Sequence, residues 1–187
     1  MRRIRVLHLE PTDVCQLSCP LCARETNPDF NKRDAGRHLR IEHIQRLYSE
    51  RVLKGLNKVF MCGNYGDPAA GKYTLDLYNY FRSLNPNVVL GMNTNGSLQT
   101  TFWWHGLAQI LNQPNDYCVF SIDGLADTNG VYRKGSNWDK LMSNARAFID
   151  GGGSAHWDML VYKHNQHQVE ECKQLAKDMG FKWFRAK

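Results

Sequence analysis

Short apolar runs and amphipathic stretches alternate along the whole chain. Runs rich in β-branched and aromatic residues occupy 5–10, 58–62, 88–93, 117–122, 155–161 and 181–184, a pattern that predicts strands. Segments with helical spacing lie between them. In 41–53, Ile41, Ile44, Leu47 and Tyr48 recur on one face, and in 74–84, Leu75, Leu77, Tyr78 and Phe81 do the same. Segments 101–111, 138–149 and 168–179 complete the set, and Gly151, Gly152, Gly153 and Gly180 read as helix stops. Strict alternation of strand and helix predicts an α/β fold, a single domain over 1–187, with a parallel sheet and right-handed crossovers. A barrel and an open doubly wound sheet both fit the count. In either, functional residues gather at the carboxyl ends of the strands.

Those ends are polar or glycine-rich throughout. Strand one is followed by Cys15, Cys19 and Cys22, a C-x3-C-x2-C spacing on one loop. Three thiolates can hold an iron–sulfur cluster and leave one coordination position open for a ligand. Strand two runs into Cys62, Gly63, Asn64, Tyr65, Gly66, Asp67 and Pro68, and strand three into Thr94, Asn95 and Gly96. Strand four ends at Ser121, Asp123 and Gly124, and strand five at Tyr162, Lys163, His164 and Asn165. Residues 23–40 are polar and charged, which predicts a loop covering the cysteines, with Arg24 in solvent.

Composition narrows the setting. Hydrophobic residues make up 42% and charged residues 22%, the balance of a globular protein. No apolar run reaches the roughly 18 residues of a membrane span. The basic start at Arg2 and Arg3 resembles a signal peptide, but His8 and Glu10 break the apolar stretch behind it. The expected location is therefore the cytoplasm, where six reduced cysteines favour metal binding over disulfides. A net charge of +6 admits an anionic substrate or nucleic acid. The basic residues are scattered, so a solvated surface is expected and a nucleic-acid partner is not.

The cysteine spacing, with Leu21 at the apolar position before Cys22, and the five strand-end motifs in order resemble the radical S-adenosylmethionine (radical SAM) superfamily. The resemblance covers nearly the whole chain. It implies a partial (β/α)6 barrel of parallel strands with outer helices, open at one side. It implies a [4Fe-4S] cluster on Cys15, Cys19 and Cys22, with S-adenosylmethionine on the fourth iron. Reductive cleavage would release a 5′-deoxyadenosyl radical that abstracts hydrogen from a substrate. By the same resemblance, Gly66 and Asp67 would receive the methionine amino group, with Asp67 where the family commonly has Glu. Asn95 would lie near the methionine, Ser121 and Asp123 at the ribose, Leu21 and Tyr162 at the adenine, and Arg133 at the methionine carboxylate. The segments around 162–171 and 176–181 resemble the branch that carries a C-terminal SPASM-type auxiliary-cluster domain, which is not expected here. That branch implies a peptide substrate, with sugars or nucleotides as relatives' substrates, and an external electron donor such as flavodoxin or ferredoxin. An uncapped open side implies closure by a partner, a peptide or a further segment.

Two other readings compete. Residues 66–73 mimic a phosphate-binding G-x4-G-K-[ST] loop. However, Tyr73 replaces the Mg²⁺-ligating hydroxyl, and Pro68 removes an amide. Alternatively, Cys15, Cys19 and Cys22 could form a zinc knuckle or a cluster-bearing interaction module, with the knuckle-like spacing of Cys19 and Cys22 and His8 or His38 as fourth ligand. Cys62, Cys118 and Cys172 are expected as small buried hydrophobes, and Trp103, Trp104, Trp183 and Phe184 as packing residues. Asn165 and Gln166 read as a helix cap. Asp158 points into the barrel if Trp157 and Met159 point outward.

Overall fold

The computed structural model describes residues 4–30 and 36–187. Its parallel strands are β1 (Val6–Leu9), β2 (Lys58–Met61), β3 (Val89–Thr94), β4 (Tyr117–Ser121), β5 (Ala155–Met159) and β6 (Trp183–Ala186). They form one six-stranded sheet in the order β1-β2-β3-β4-β5-β6. A doubly wound sheet must reverse its strand order at a switch point. This one never does. Every crossover therefore advances in the same sense, and the fold is the partial (β/α)6 barrel, with β1 and β6 left unpaired to each other.

Strand alternation separates two environments. Leu7, Leu9, Val59, Met61, Leu90, Met92, Phe120, Trp157 and Met159 are buried under the helices. Phe60, Asn93, Tyr117, His156 and Asp158 face the other way and line a cavity of about 500 Å³ inside the open barrel. Asp158 thus points into the barrel, with Trp157 and Met159 outside. Trp183 is 63% exposed, not packed as expected, because it sits on the inner face of the edge strand β6.

The helices are α1 (Ala23–Thr26), α2 (Ile41–Leu47), α3 (Glu50–Lys54), α4 (Thr74–Leu84), α5 (Thr101–Ile110), α6 (Asn129–Tyr132), α7 (Trp138–Asp150) and α8 (Val169–Met179). Trp104 of α5 and Phe148 of α7 meet Phe120 of β4 and bury fully. The single helix expected over 41–53 is two. Ile44 and Leu53 are both buried, yet nine residues at about 100° each would set them on opposite faces of one helix. Extended backbone at Tyr48 (φ −134°, ψ 132°) breaks the helix and turns both side chains inward. At the other end of the chain, Gly180 closes α8 at φ +88°, a conformation glycine adopts without strain. The Phe181 N–H then bonds back to the Ala176 carbonyl at 2.9 Å. That turn buries Phe181 against Trp157 and delays β6 by two residues relative to expectation.

Candidate active site

The cysteine loop leaves β1 at the carboxyl mouth and is pinned on several sides. Asp13, two residues before Cys15, accepts hydrogen bonds from the amides of Gly36 and Arg37 and from Arg37 Nε at 2.6 Å. Burial pushes its carboxyl up, but these donors outweigh burial and hold it below the usual range. The Ser18 amide bonds the Lys134 carbonyl at 3.0 Å, and the Cys22 amide bonds the Cys19 carbonyl at 3.0 Å. Cys15 and Cys22 are half-buried and Cys19 is buried, all three as free thiols.

The loop after β2 lies flush against this loop. The Asp67 amide bonds the Val14 carbonyl at 2.8 Å. A Cβ on Gly66 would sit 2.3 Å from the Thr12 carbonyl oxygen, so only glycine permits the approach. Asp67 is buried and accepts four hydrogen bonds. Ala69 N and Thr94 Oγ1 reach one oxygen at 2.9 and 2.8 Å, and Asn95 N and Nδ2 reach the other at 2.7 and 2.6 Å. Asn95 Nδ2 also lies 3.7 Å from Cys15 Sγ. Cys15, Gly66, Asp67 and Asn95 are therefore brought together as one unit. The amides that a phosphate-binding loop would offer are spent internally: Ala69 on Asp67, Ala70 on the Asp67 carbonyl and Gly71 on the Pro68 carbonyl. This disfavours the nucleotide-binding reading.

A second unit forms at the ends of β4 and β5. Asp123 is fully buried. One of its oxygens accepts from Arg133 Nε at 2.6 Å and the other from the Leu160 amide at 2.7 Å. Asp123, expected at the ribose, also acts as a strut for Arg133, with one bond on each oxygen. The Arg133 guanidinium extends toward Cys19, whose thiol is pushed up by burial and pulled back by Arg133. Tyr132 lies against Arg133 and packs on Tyr162 at a 33° tilt, with ring centroids 4.7 Å apart. Ser121 is half-buried on the inner face, opposite Asp158 in register. Leu21 stands apart, 70% exposed.

Several contributors were not foreseen. Arg24, expected in solvent, is 6% exposed; its Nη1 reaches the Cys15 carbonyl at 3.5 Å, and its Nε is buried with no partner. Asn165 does take the N-cap position of a short 3-10 helix (Gln166–Gln168), but its side chain makes no capping bond. It is buried and ties the Asp123 and Leu160 carbonyls to the Tyr162 amide. Gln16, Ser97 and Asn129 also bridge the loops. No local pattern marks these roles.

The donor set fits an iron–sulfur cluster. Three thiols share one loop, and guanidiniums stand beside Cys15 and Cys19 to balance the negative charge of thiolate ligands. Without metal, burial together with the Asp67 charge pushes the Cys15 thiol up to about 11, against the Leu17 amide and Arg24; ligation must displace that proton. Cys118 and Cys172 are buried away from this loop, as expected, while Cys62 is half-buried. A zinc site fits less well. His8 stacks on Phe60 beside Glu10, and His38 contacts the Lys72 amide. Among the described residues, no three His, Cys, Asp or Glu side chains converge at single-ion distance.

Comparison with known proteins agrees with this geometry. The family model of the radical SAM superfamily matches residues 9–182. Streptococcus suis SuiB, solved with S-adenosylmethionine and with its precursor peptide SuiA, superposes with TM-score 0.75 at 18% identity, over 98% of this chain and 40% or 39% of that one. The structure of anSMEcpe with bound AdoMet and the Cp18Cys peptide gives TM-score 0.73 at 17% identity, over 99% of this chain and 50% of that one. Methylornithine synthase (PylB) gives TM-score 0.67 at 13% identity, over 100% and 53%. The chain thus spans about half or less of these proteins, and at such identities the likeness establishes the fold. A comparison with curated proteins found no match.

Proposed function

From the premise that this chain belongs to the radical SAM superfamily, whose members use a [4Fe-4S] cluster and S-adenosylmethionine, we propose that it is the core of an enzyme that abstracts a hydrogen atom from a peptide. The observation that carries the proposal is the meeting of the cysteine loop with Asp67 and Asn95 at the mouth of a family-matched barrel. When bound, the cofactors supply one-electron cleavage of the sulfonium and a hydrogen-abstracting 5′-deoxyadenosyl radical.

The chain's own residues hold and orient. Cys15, Cys19 and Cys22 would ligate the cluster. Gly66 offers close backbone approach for the methionine amino group, and the buried negative charge of Asp67 favours an ammonium there. Asn95 borders the methionine. Arg133, fixed through Nε by Asp123 and reaching toward Cys19, would present an Nη group to the methionine carboxylate. Ser121 and Asp123 would border the ribose, and Tyr162 the adenine, with the exposed Leu21 closing over it only once the cofactor is bound. The 500 Å³ inner cavity, with Asn93, His156 and Asp158 on its walls, is sized for a side chain and its flanking backbone. A peptide is favoured because SuiB and anSMEcpe are solved with peptides. An external flavodoxin or ferredoxin would deliver the electron, in the cytoplasm. No helix of the described residues is long and apolar enough to cross a membrane.

Anaerobic reconstitution with iron and sulfide, followed by dithionite and S-adenosylmethionine, tests the proposal. 5′-Deoxyadenosine should form and should vanish in Cys15→Ala, Cys19→Ala and Cys22→Ala. Co-purifying zinc with no cluster would sink it.

A further inference from the structure

The carboxamide of Gln16, next to Cys15, is held at both ends. Its Nε2 donates to Asn95 Oδ1 at 2.8 Å and to Ser97 Oγ at 2.9 Å, and its Oε1 accepts from Asn95 Nδ2 at 3.3 Å. Gln16 and Asn95 thus form a reciprocal amide pair across 79 residues of chain. Neither amide can turn over. Asn95 Oδ1 also accepts from the Ser97 amide at 3.0 Å and Oγ at 2.9 Å, while Asn95 Nδ2 donates to Asp67 at 2.6 Å. Reversal would set oxygen against oxygen and donor against donor.

In this locked orientation Asn95 Nδ2 spends one hydrogen on Asp67 and shares the other between Gln16 Oε1 and Cys15 Sγ, 3.7 Å away, beside the Leu17 amide at 3.4 Å from the sulfur. A thiol can also donate to Gln16 Oε1, 3.8 Å off, but a thiolate cannot. Once ligated, the Cys15 sulfur therefore keeps its two N–H donors and loses that third contact.

We infer that Gln16 is a positioning residue of the cluster loop: by locking the Asn95 amide it fixes an N–H donor on the Cys15 sulfur and so sets the reduction potential of the bound cluster. Donors to a ligand sulfur stabilise the negative charge gained on reduction and raise the potential. The inference rests on the cluster assignment proposed above.

Gln16→Met keeps the length and removes the amide, and Gln16→Glu opposes a carboxylate to Asn95 Oδ1. In the reconstituted full chain, both variants should show a more negative midpoint potential than wild type at equal iron content, with the Glu variant lower. In the metal-free chain, hydrogen exchange at the Leu17 amide should quicken about fivefold, the factor that one hydrogen bond of typical net strength represents, with thermal midpoint unchanged. Wild-type potential in both variants overturns the inference. So does acceleration of exchange across the whole chain with a matching fall in thermal midpoint, which marks a merely structural role. If a variant retains no iron, the exchange measurement decides: acceleration confined to the cysteine loop supports the inference, and an unchanged rate overturns it. If wild type itself takes up no cluster, the cluster assignment fails, and the potential-setting role fails with it.

Discussion

Arg133 and Asp123 meet as a buried ion pair, Nε to Oδ2 at 2.6 Å, with the Asp123 side chain fully buried and that of Arg133 16% exposed. The pair joins the loop after β4 to the turn beside the cysteine loop. Since the second Asp123 oxygen holds the Leu160 amide, one carboxylate connects three loops at the mouth.

Removing that carboxylate leaves a guanidinium buried without its partner. Asp123→Ala should therefore cost about 3–5 kcal/mol of unfolding free energy, the typical penalty for breaking a buried pair. Asp158 pairs with Arg185 and Lys187, whose side chains are 62% and 45% exposed. Asp158→Ala should cost under about 1 kcal/mol. Urea denaturation of both variants checks the contrast, and equal costs would refute it.

Asp67→Asn keeps the shape of the side chain but removes the charge and turns one acceptor into a donor facing Thr94 or Asn95. Hydrogen bonds to charged groups are worth about 1.5–3 kcal/mol. Apparent affinity for S-adenosylmethionine should fall roughly ten- to a hundredfold by the same figure, read from the KM for 5′-deoxyadenosine formation.

Gly66→Ala drives a methyl to 2.3 Å from the Thr12 carbonyl. The two loops must separate, at about 1–3 kcal/mol, as for other overpacked sites. Iron content after reconstitution should drop while far-ultraviolet circular dichroism stays native. Full iron loading in this variant would contradict the packing argument.

Acidification should destabilise the chain in two stages. His156 is lowered by burial and by Lys182, and His38 by burial and Lys72. A lowered histidine means that the unfolded chain binds the proton more readily, so stability falls as pH drops below about 6.5. Asp13 and Asp158 also lie below the usual range, despite burial that pushes both up. Their stabilisation is present above the ordinary carboxylate value of about 3.9 and is lost as pH falls below it. His156→Gln should shrink the first stage in a plot of thermal midpoint against pH, leaving the His38 share of it and the whole of the second.

In metal-free protein, alkylation of Cys15 should rise with pH toward half-maximum near about 11, since only the thiolate reacts. Peptide mapping after iodoacetamide treatment follows it. Rapid labelling of Cys15 at neutral pH would show that Arg24 outweighs burial and Asp67.

The elements read most clearly from sequence were those whose signal is local. The period of two in 155–159 marks β5 because side chains alternate about the pleat. The C-x3-C-x2-C loop is legible for the same reason: its three thiols come from one short stretch. The break at Tyr48 was hidden because the 41–53 pattern is helical at every step, and only the need to bury Ile44 and Leu53 together interrupts it.

By itself, then, the sequence determined the alternation of elements, the three-cysteine spacing and the order of polar strand ends. Tertiary structure decided the rest. The uniform strand order selected a barrel over a doubly wound sheet. Parallel crossovers carried Gln16 to Asn95, Asp67 to Thr94 and Asp123 to Leu160, contacts between residues 27 to 79 positions apart. The same packing put Arg24 under the cysteine loop, although its sequence neighbourhood is polar. Hydrogen bonds and burial depend on which chains meet in space, and no local periodicity carries that information.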